Sequence, residues 1–221
     1  MRLLRPRGVY APQEDTALLA RAARSELRTL RQQPNVDVVD VLDVGTGTGA
    51  LALVAAQQAS ARVTAVDISR RAVLAARLNA RRHRLPVSVR RGDLTGPVAD
   101  RRFHLIVSNP PYVLSPGRAR GAQRTWNAGT DGRAVLDRLC ADAPGLLRDS
   151  GVLLLVQSAL SGVDTTLDQL RDSGLRARVE LRETIPFGPV MARHADWLER
   201  RGAILPGERK EELVVIRAQR S

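Results

Sequence analysis

A single cysteine, Cys140, among 221 residues excludes an internal disulfide framework and a cysteine-based zinc site. Long apolar runs are also missing. The longest, 50–56 and 152–156, fall far short of the ~18 residues a membrane span needs. The N-terminus, Met1-Arg2-Leu3-Leu4-Arg5-Pro6-Arg7, carries charge without an apolar stretch behind it, so no signal peptide is expected and the cytoplasm is the expected location. Glycine and proline, 17 and 12 residues, stay near background, which removes low-complexity and collagen-like readings. What remains is 43% hydrophobic and 26% charged, the composition of a globular chain of one domain over 1–221.

Lysine is almost absent as well. Lys210 is one of 35 basic residues, so the net charge of +12 is carried by arginine. An excess of this size attracts polyanions, and it supports a weak expectation of nucleic-acid or ribosome-associated contact. The arginines are spread along the chain, with small knots at 81–84, 90–91, 118–124 and 200–201, which favours a solvated surface over one dedicated patch.

The hydrophobic pattern alternates between strand and helix. In an N-terminal arm and helix, 1–35, Leu18, Leu19, Ala22, Ala23, Leu27 and Leu30 recur at helical spacing behind Pro12 and the acids Glu14 and Asp15. Strands are predicted at 38–44, 62–67, 87–90, 103–108, 151–157, 175–181 and 212–217. Helices are predicted at 50–59, 70–82 (capped by Ser69), 131–147 and 161–173. This is an α/β pattern: a Rossmann-like, seven-stranded, mostly parallel sheet with helices on both faces and the last strand antiparallel.

Asp43-Val44-Gly45-Thr46-Gly47-Thr48-Gly49-Ala50 joins the first strand to a helix. Small residues there let a ligand approach the backbone, and the helix start offers unpaired N–H groups. Gly45, Gly47 and Ala50 also satisfy the relaxed dinucleotide fingerprint, and Asp67 stands where a ribose-binding acid belongs. The loop alone therefore leaves a nicotinamide-dinucleotide module open.

Ser108-Asn109-Pro110-Pro111-Tyr112 narrows the choice. It follows the fourth strand, beside the first, at the edge where open α/β sheets bind ligands. A planar target –NH2 presents two donors in its plane, and the side-chain oxygen of Asn109 and the backbone carbonyl of Pro110 accept both. Pro111 stiffens the turn and Tyr112 supplies a flat face. Such a clamp orients a nitrogen toward a methyl donor.

On these motifs the chain resembles the class I S-adenosylmethionine-dependent methyltransferases, and within them the HemK family of glutamine N-methyltransferases, from about residue 8 to 181. The start, Gly8 through Thr16, is similar to the shorter branch whose eukaryotic and archaeal members modify a class 1 release factor. With about 40 residues before the glycine loop, the extra N-terminal domain of the bacterial branch is not expected. The resemblance implies S-adenosylmethionine as cofactor. Thr16 and Asp43 would lie near its methionine end, Gly45 and Gly47 beneath it, Asp67 on the ribose, and Asp93 and Leu94 around the adenine. Asn109, Pro110 and Tyr112 would form the catalytic clamp. Trp126-Asn127-Ala128-Gly129 and Asp131-Gly132-Arg133 are similar to a family stretch that follows the clamp, though an acid usually stands where Asn127 does.

Residues 182–211 depart from the family as a longer segment before the last strand. It is expected to fold a helix around 192–201 over the cleft and shape acceptor choice. His83, His104, His194 and Cys140 read as structural, and no metal site is expected. The expected acceptor is a protein glutamine, in a release factor for instance. A small molecule of specialised metabolism and an exocyclic amine of DNA or RNA remain the alternatives.

Overall fold

The structure, a computed structural model, describes residues 1–34, 36–58, 60–116 and 128–220. Helix α1 (Glu14–Arg31) has Glu14 and Asp15 in its first turn and Arg28 and Arg31 in its last, each matching the helix dipole. It buries the predicted stripe, Leu18, Leu19, Ala22, Ala23, Leu27 and Leu30. Strand β1 (Val39–Val44) is buried along its whole length, as a central parallel strand covered on both faces must be. The chain then runs through α2 (Ala50–Ala56), β2 (Ala61–Asp67), α3 (Arg70–Arg82), β3 (Val87–Arg91) and β4 (Phe103–Ser108). Ser69 caps α3 by accepting from the Ala72 N–H at 3.4 Å.

The second half holds α4 (Leu136–Asp142), β5 (Leu147–Ser158), α5 (Val163–Asp172), β6 (Leu175–Pro186), α6 (Pro189–Arg200) and β7 (Lys210–Arg220). The seven strands form one sheet in the order β3-β2-β1-β4-β5-β7-β6. Neighbours among β1 to β5 pair in parallel, and β7 runs antiparallel to both β5 and β6. This is the sheet expected from the sequence. The reversal of β7 brings its start, and the end of β6, to the edge where β1, β2 and β4 finish.

Three boundaries differ from the sequence reading. The helix expected over 131–147 is α4 alone, followed by a 3-10 turn at Ala143–Leu146. Pro144 has no N–H for an α-helical ladder, so the turn tightens there. Strand β5 starts at Leu147, ahead of an irregular stretch in which Ser150 takes φ +60°. Strands β6 and β7 reach into the segment expected to lie outside the sheet, pairing as far as Pro186 opposite Lys210. Only the tip between them leaves the sheet, and its expected helix is α6, with Pro189 in the first turn.

Side chains of opposite charge tie this frame together. Arg217 of β7 grips Glu26 of α1 through two bonds of 2.8 and 3.0 Å, with both groups buried. Asp40, buried low on β1, takes Arg62 at 2.5 Å and Arg148 at 3.0 Å. Its own N–H donates to His104 Nδ1 at 2.9 Å, so His104 braces the sheet far from the glycine loop. Arginines on the edge strands pair with acids as well, Arg178 with Glu180 and Arg182 with Glu212. Part of the basic surface is thus compensated by solvated ion pairs. Among the described residues, no helix is long and apolar enough to cross a membrane.

Candidate active site

The site lies on the carboxyl edge of the sheet, where β1 and β4 pair side by side and end together at Val44 and Ser108. Ser108 Oγ donates to the Val44 carbonyl at 2.9 Å and pins the two strand ends. The glycine loop leaves β1 with Gly45 and Gly47 at φ +73° and +56°, a region that L side chains avoid. A Cβ on Gly45 would meet nothing within 4 Å, and on Gly47 only the Gly45 carbonyl at 4.0 Å. Open space therefore lies above the loop. Gly49 has a different task, since a Cβ there would press on Ala76 of α3 at 3.2 Å.

Acids ring this space. Asp43 is buried; its Oδ2 accepts from Thr46 Oγ1 at 2.5 Å and the Ala52 N–H at 3.0 Å. Its Oδ1 is buried with no partner among the described residues. Burial pushes this carboxyl up to about 7, against the two hydrogen bonds and with a small addition from the Asp67 charge. Asp67, at the end of β2, accepts from the N–H groups of Gly47 and Ser69 at 2.9 and 2.8 Å. Burial raises its carboxyl too, in spite of those bonds. Ile68, next in the chain, is 58% exposed beside it.

Asp93 follows β3 and is half-exposed, paired with Arg138 at 2.6 Å. Leu94 packs on the core at φ +43°. Gly92 holds this turn closed: a Cβ there would collide with the Pro97 ring.

The Asn-Pro-Pro-Tyr segment leaves β4 and meets the start of α1. Asn109 Nδ2 donates to Thr16 Oγ1 at 3.2 Å, which turns Asn109 Oδ1 the other way. Tyr112 is buried, and its hydroxyl donates to Asp15 Oδ2 at 3.0 Å. Tyr10 donates to the same oxygen at 2.8 Å. Burial raises both phenols, and the Asp15 charge adds to the rise. The Tyr112 hydroxyl thus ties the Asn-Pro-Pro-Tyr turn to the start of α1, a contact that its sequence reading as a flat stacking face did not include.

Beyond the clamp, Val113 and Ser115 exchange backbone bonds with Ala128 and Gly129 at 3.1 and 2.9 Å. Arg133 then straps this stretch to α5, donating to the carbonyls of Ser161 and Gly162 and to Thr166 and Gln169. Trp126 and Asn127, with the 118–124 knot, lie outside the described residues. Helix α6 buries Met191, Ala195 and Leu198 against Leu114, with Phe187 and Trp197 at the margin.

Sequence reasoning brought Thr16, Asp43, Gly45, Gly47, Asp67, Asn109, Pro110 and Tyr112 to one edge, and the structure places them there. Asp93 and Leu94 sit on the same edge beyond β2. Glu211 was not anticipated. At the start of β7 it is buried, with Oε2 unpartnered among the described residues. Burial raises its carboxyl, a hydrogen bond from Ser158 opposes the rise, and the Asp15 charge adds to it. The last strand is expected from the sequence to run antiparallel, but that reading counts Glu211 with the 182–211 segment outside the sheet, whereas it belongs to β7. Ile68 had a local signal, as an apolar residue after a strand-end acid. Cys140 is buried on α4, its thiol pushed up to about 11 by burial, and is inert. Among the described residues, no group of three or more His, Cys, Asp or Glu is placed to hold a metal ion.

The 3-2-1-4-5-7-6 sheet with a glycine loop and strand-end acids defines a class I methyltransferase fold. Residues 16–174 match the family model described as Methyltransferase small domain. A Methanocaldococcus jannaschii protein named, provisionally, a protein N5-glutamine methyltransferase is 30% identical over 190 residues, 85% of this chain and 91% of that one. The release factor glutamine methyltransferase of Deinococcus radiodurans is 37% identical over 187 residues, 81% of this chain and 64% of that longer one. A chain of the E. cuniculi Mtq2-Trm112 complex, described as responsible for methylation of the eRF1 translation termination factor, superposes with a TM-score of 0.67 at 22% identity. That alignment covers 97% of this chain and 99% of the solved one, and it shows the shared fold. The chain belongs to the methyltransferase small domain family and, within it, to the HemK family of S-adenosylmethionine-dependent N-methyltransferases.

Proposed function

We propose that this enzyme methylates the side-chain amide nitrogen of a glutamine in a protein acceptor, a translation release factor in the first instance, and that residues 1–221 act as one methyltransferase domain. The observation that carries this reading is the orientation of Asn109. Its NH2 donates to Thr16 Oγ1, which leaves Oδ1 as an acceptor for the target; the Pro110 carbonyl, next in the chain, is the second acceptor in this reading. A glutamine amide brings two N–H donors in one plane, and these two oxygens match them.

The surrounding residues fit the cofactor. The space above Gly45 and Gly47 would take its chain, and the orphaned Asp43 Oδ1 would suit a cationic group nearby. Thr16 and Asp43 would hold the methionine end and Asp67 the ribose, each Asp67 oxygen having a further lone pair beyond its backbone bond. Asp93 and Leu94 would frame the adenine with Ile68 as an apolar wall. Bound there, S-adenosylmethionine supplies an electrophilic methyl group on a sulfonium that leaves as a neutral thioether. Asn109 and Pro110 hold the target nitrogen in line, and Tyr112 keeps the clamp rigid. Orientation of this kind is worth on the order of several kcal/mol.

Helix α6, docked on Leu114 just past the clamp, supports a role for the segment 182–211 in choosing the acceptor. The test is transfer of a labelled methyl group from S-adenosylmethionine to a purified class 1 release factor and to a native cell extract, with wild-type and Asn109→Ala enzyme. Asn109-dependent label on a glutamine is the expected result. Label that is lost to nuclease, or that resides only in small molecules, replaces the acceptor. Label that persists in Asn109→Ala removes the clamp.

A further inference from the structure

The clamp and the start of α1 share one carboxylate. Asp15 is 3% exposed and receives four hydrogen bonds. The Thr16 N–H and Thr16 Oγ1 donate to Oδ1 at 2.5 and 3.1 Å, and the hydroxyls of Tyr10 and Tyr112 donate to Oδ2 at 2.8 and 3.0 Å.

The direction of these bonds has a consequence for Asn109. A threonine hydroxyl has one proton and two lone pairs, and a free one can face an amide either as donor or as acceptor. Here its proton is committed to Asp15. Thr16 therefore shows Asn109 only a lone pair, and Asn109 must answer with Nδ2–H, at 3.2 Å. The side-chain oxygen is thereby turned outward. Without Asp15 the hydroxyl is free to reverse and the amide to rotate, presenting NH2 to a target that is itself only a donor. We propose that Asp15 is a positioning residue for methyl transfer, fixing through Thr16 which face of the Asn109 amide meets the acceptor and through Tyr112 the far end of the same clamp.

The inference rests on the reading that Asn109 grips the target nitrogen. Burial and the nearby charges support it. Tyr10 and Tyr112 are both pushed well above the ordinary phenol range, by burial first and by the charges of Asp15 and Glu211, so they stay protonated as donors. The groups facing Asp15 are these two phenols, Thr16, and the carboxylate of Glu211 across from β7. No cation is bonded to Asp15 among the described residues, and four donors take the place of one.

The test uses the full-length enzyme with Asp15→Leu, Thr16→Ser, Thr16→Val and Asn109→Ala, each checked for thermal unfolding; leucine removes both acceptors, whereas asparagine would keep an oxygen for Thr16. The first readout needs no acceptor: the Asn109 side-chain amide signals in protein labelled with 15N-asparagine, assigned by their loss in Asn109→Ala. Wild type and Thr16→Ser should show one dispersed pair protected from solvent exchange. In Asp15→Leu and Thr16→Val the pair should shift and exchange at least tenfold faster. The second readout is methyl transfer to a class 1 release factor, or to whichever acceptor carries the Asn109-dependent label. Asp15→Leu should lower kcat by at least thirtyfold with the KM for S-adenosylmethionine within threefold, and Thr16→Ser should restore most of the rate lost in Thr16→Val. A wild-type amide spectrum and kcat in folded Asp15→Leu, alongside an inactive Asn109→Ala, overturns the positioning role and leaves the clamp standing. If Asp15→Leu does not fold, unchanged signals in Thr16→Val overturn it equally. Activity retained in Asn109→Ala overturns the clamp reading and this inference together.

Discussion

Gly132 lies directly beneath Tyr112: at φ +76°, a Cβ on it would collide with the Tyr112 carbonyl and stand 2.9 Å from both Leu114 Cδ1 and Ser161 Cβ. The segment that follows the clamp is thus packed against it with no room for a methyl group. Gly132→Ala should destabilise the protein by about 3 kcal/mol or more, combining a left-handed backbone with overpacking. Gly174, at φ +82° with nothing within 4 Å of its Cβ, provides the control. Gly174→Ala should cost only the backbone component, about 1–2 kcal/mol. Urea unfolding of both variants measures the difference. Equal losses would show that the contact with Tyr112 contributes nothing.

Asp43 sets a pH dependence. Its folded carboxyl titrates near 7, raised by burial, whereas an unfolded one titrates near 4, so the folded state keeps a proton that the unfolded chain releases. Stability from this group is full at low pH and declines as pH rises through that window. Cofactor binding at the proposed site should run the other way, because a cationic ligand favours the ionised carboxylate. Affinity for S-adenosylmethionine should fall by up to about tenfold per unit as pH drops below 7, with release of protons on binding. Asp67, also raised by burial, has the same sign. Calorimetric titration from pH 5.5 to 8 checks this, and Asp43→Asn should flatten the slope.

The Glu26–Arg217 pair joins α1 to β7 out of water. Arg217→Met strands a buried carboxylate and should cost about 3–5 kcal/mol. The double variant Glu26→Leu/Arg217→Met removes both charges and should regain most of that loss. If the double variant is as unstable as the single one, the pair supplies net stability rather than mutual compensation.

Leu198 has no exposed surface and sits between α6 and Leu114. Leu198→Asp should detach α6, lowering kcat/KM for the acceptor at least tenfold while leaving the dissociation constant of the cofactor within threefold. A matched fall in both would mean that α6 supports the sheet rather than the acceptor.

The sheet and the gathering of the candidate residues on one edge of it were legible because their signals are local. Three strand-end acids and a glycine loop fix the crevice, and the 18–30 stripe places α1 over it. The acidic hub was legible only in pieces. Residues 10, 16 and 112 converge on the Asp15 carboxylate, and their spacing along the chain carries no trace of that. Glu14 and Asp15 read equally well as a helix's first turn, and the structure separates them: Asp15 is buried and bonded, while Glu14 is exposed. Glu211 escaped notice because residues 182–211 read as one interruption, whereas they are the ends of two paired strands with a helix between them. The 131–147 helix was overextended because its apolar spacing continues through Pro144.

Pro186 stands opposite Lys210, and the chain between them leaves and rejoins the sheet at one rung of a single ladder. Any loop that starts and ends on that rung satisfies the same closure. Chimeras that exchange 187–209 should therefore vary what packs on Leu114 without shifting a strand register or disturbing the glycine loop after β1, three strands from β7. Architecturally the enzyme is a fixed chassis with one interchangeable hood.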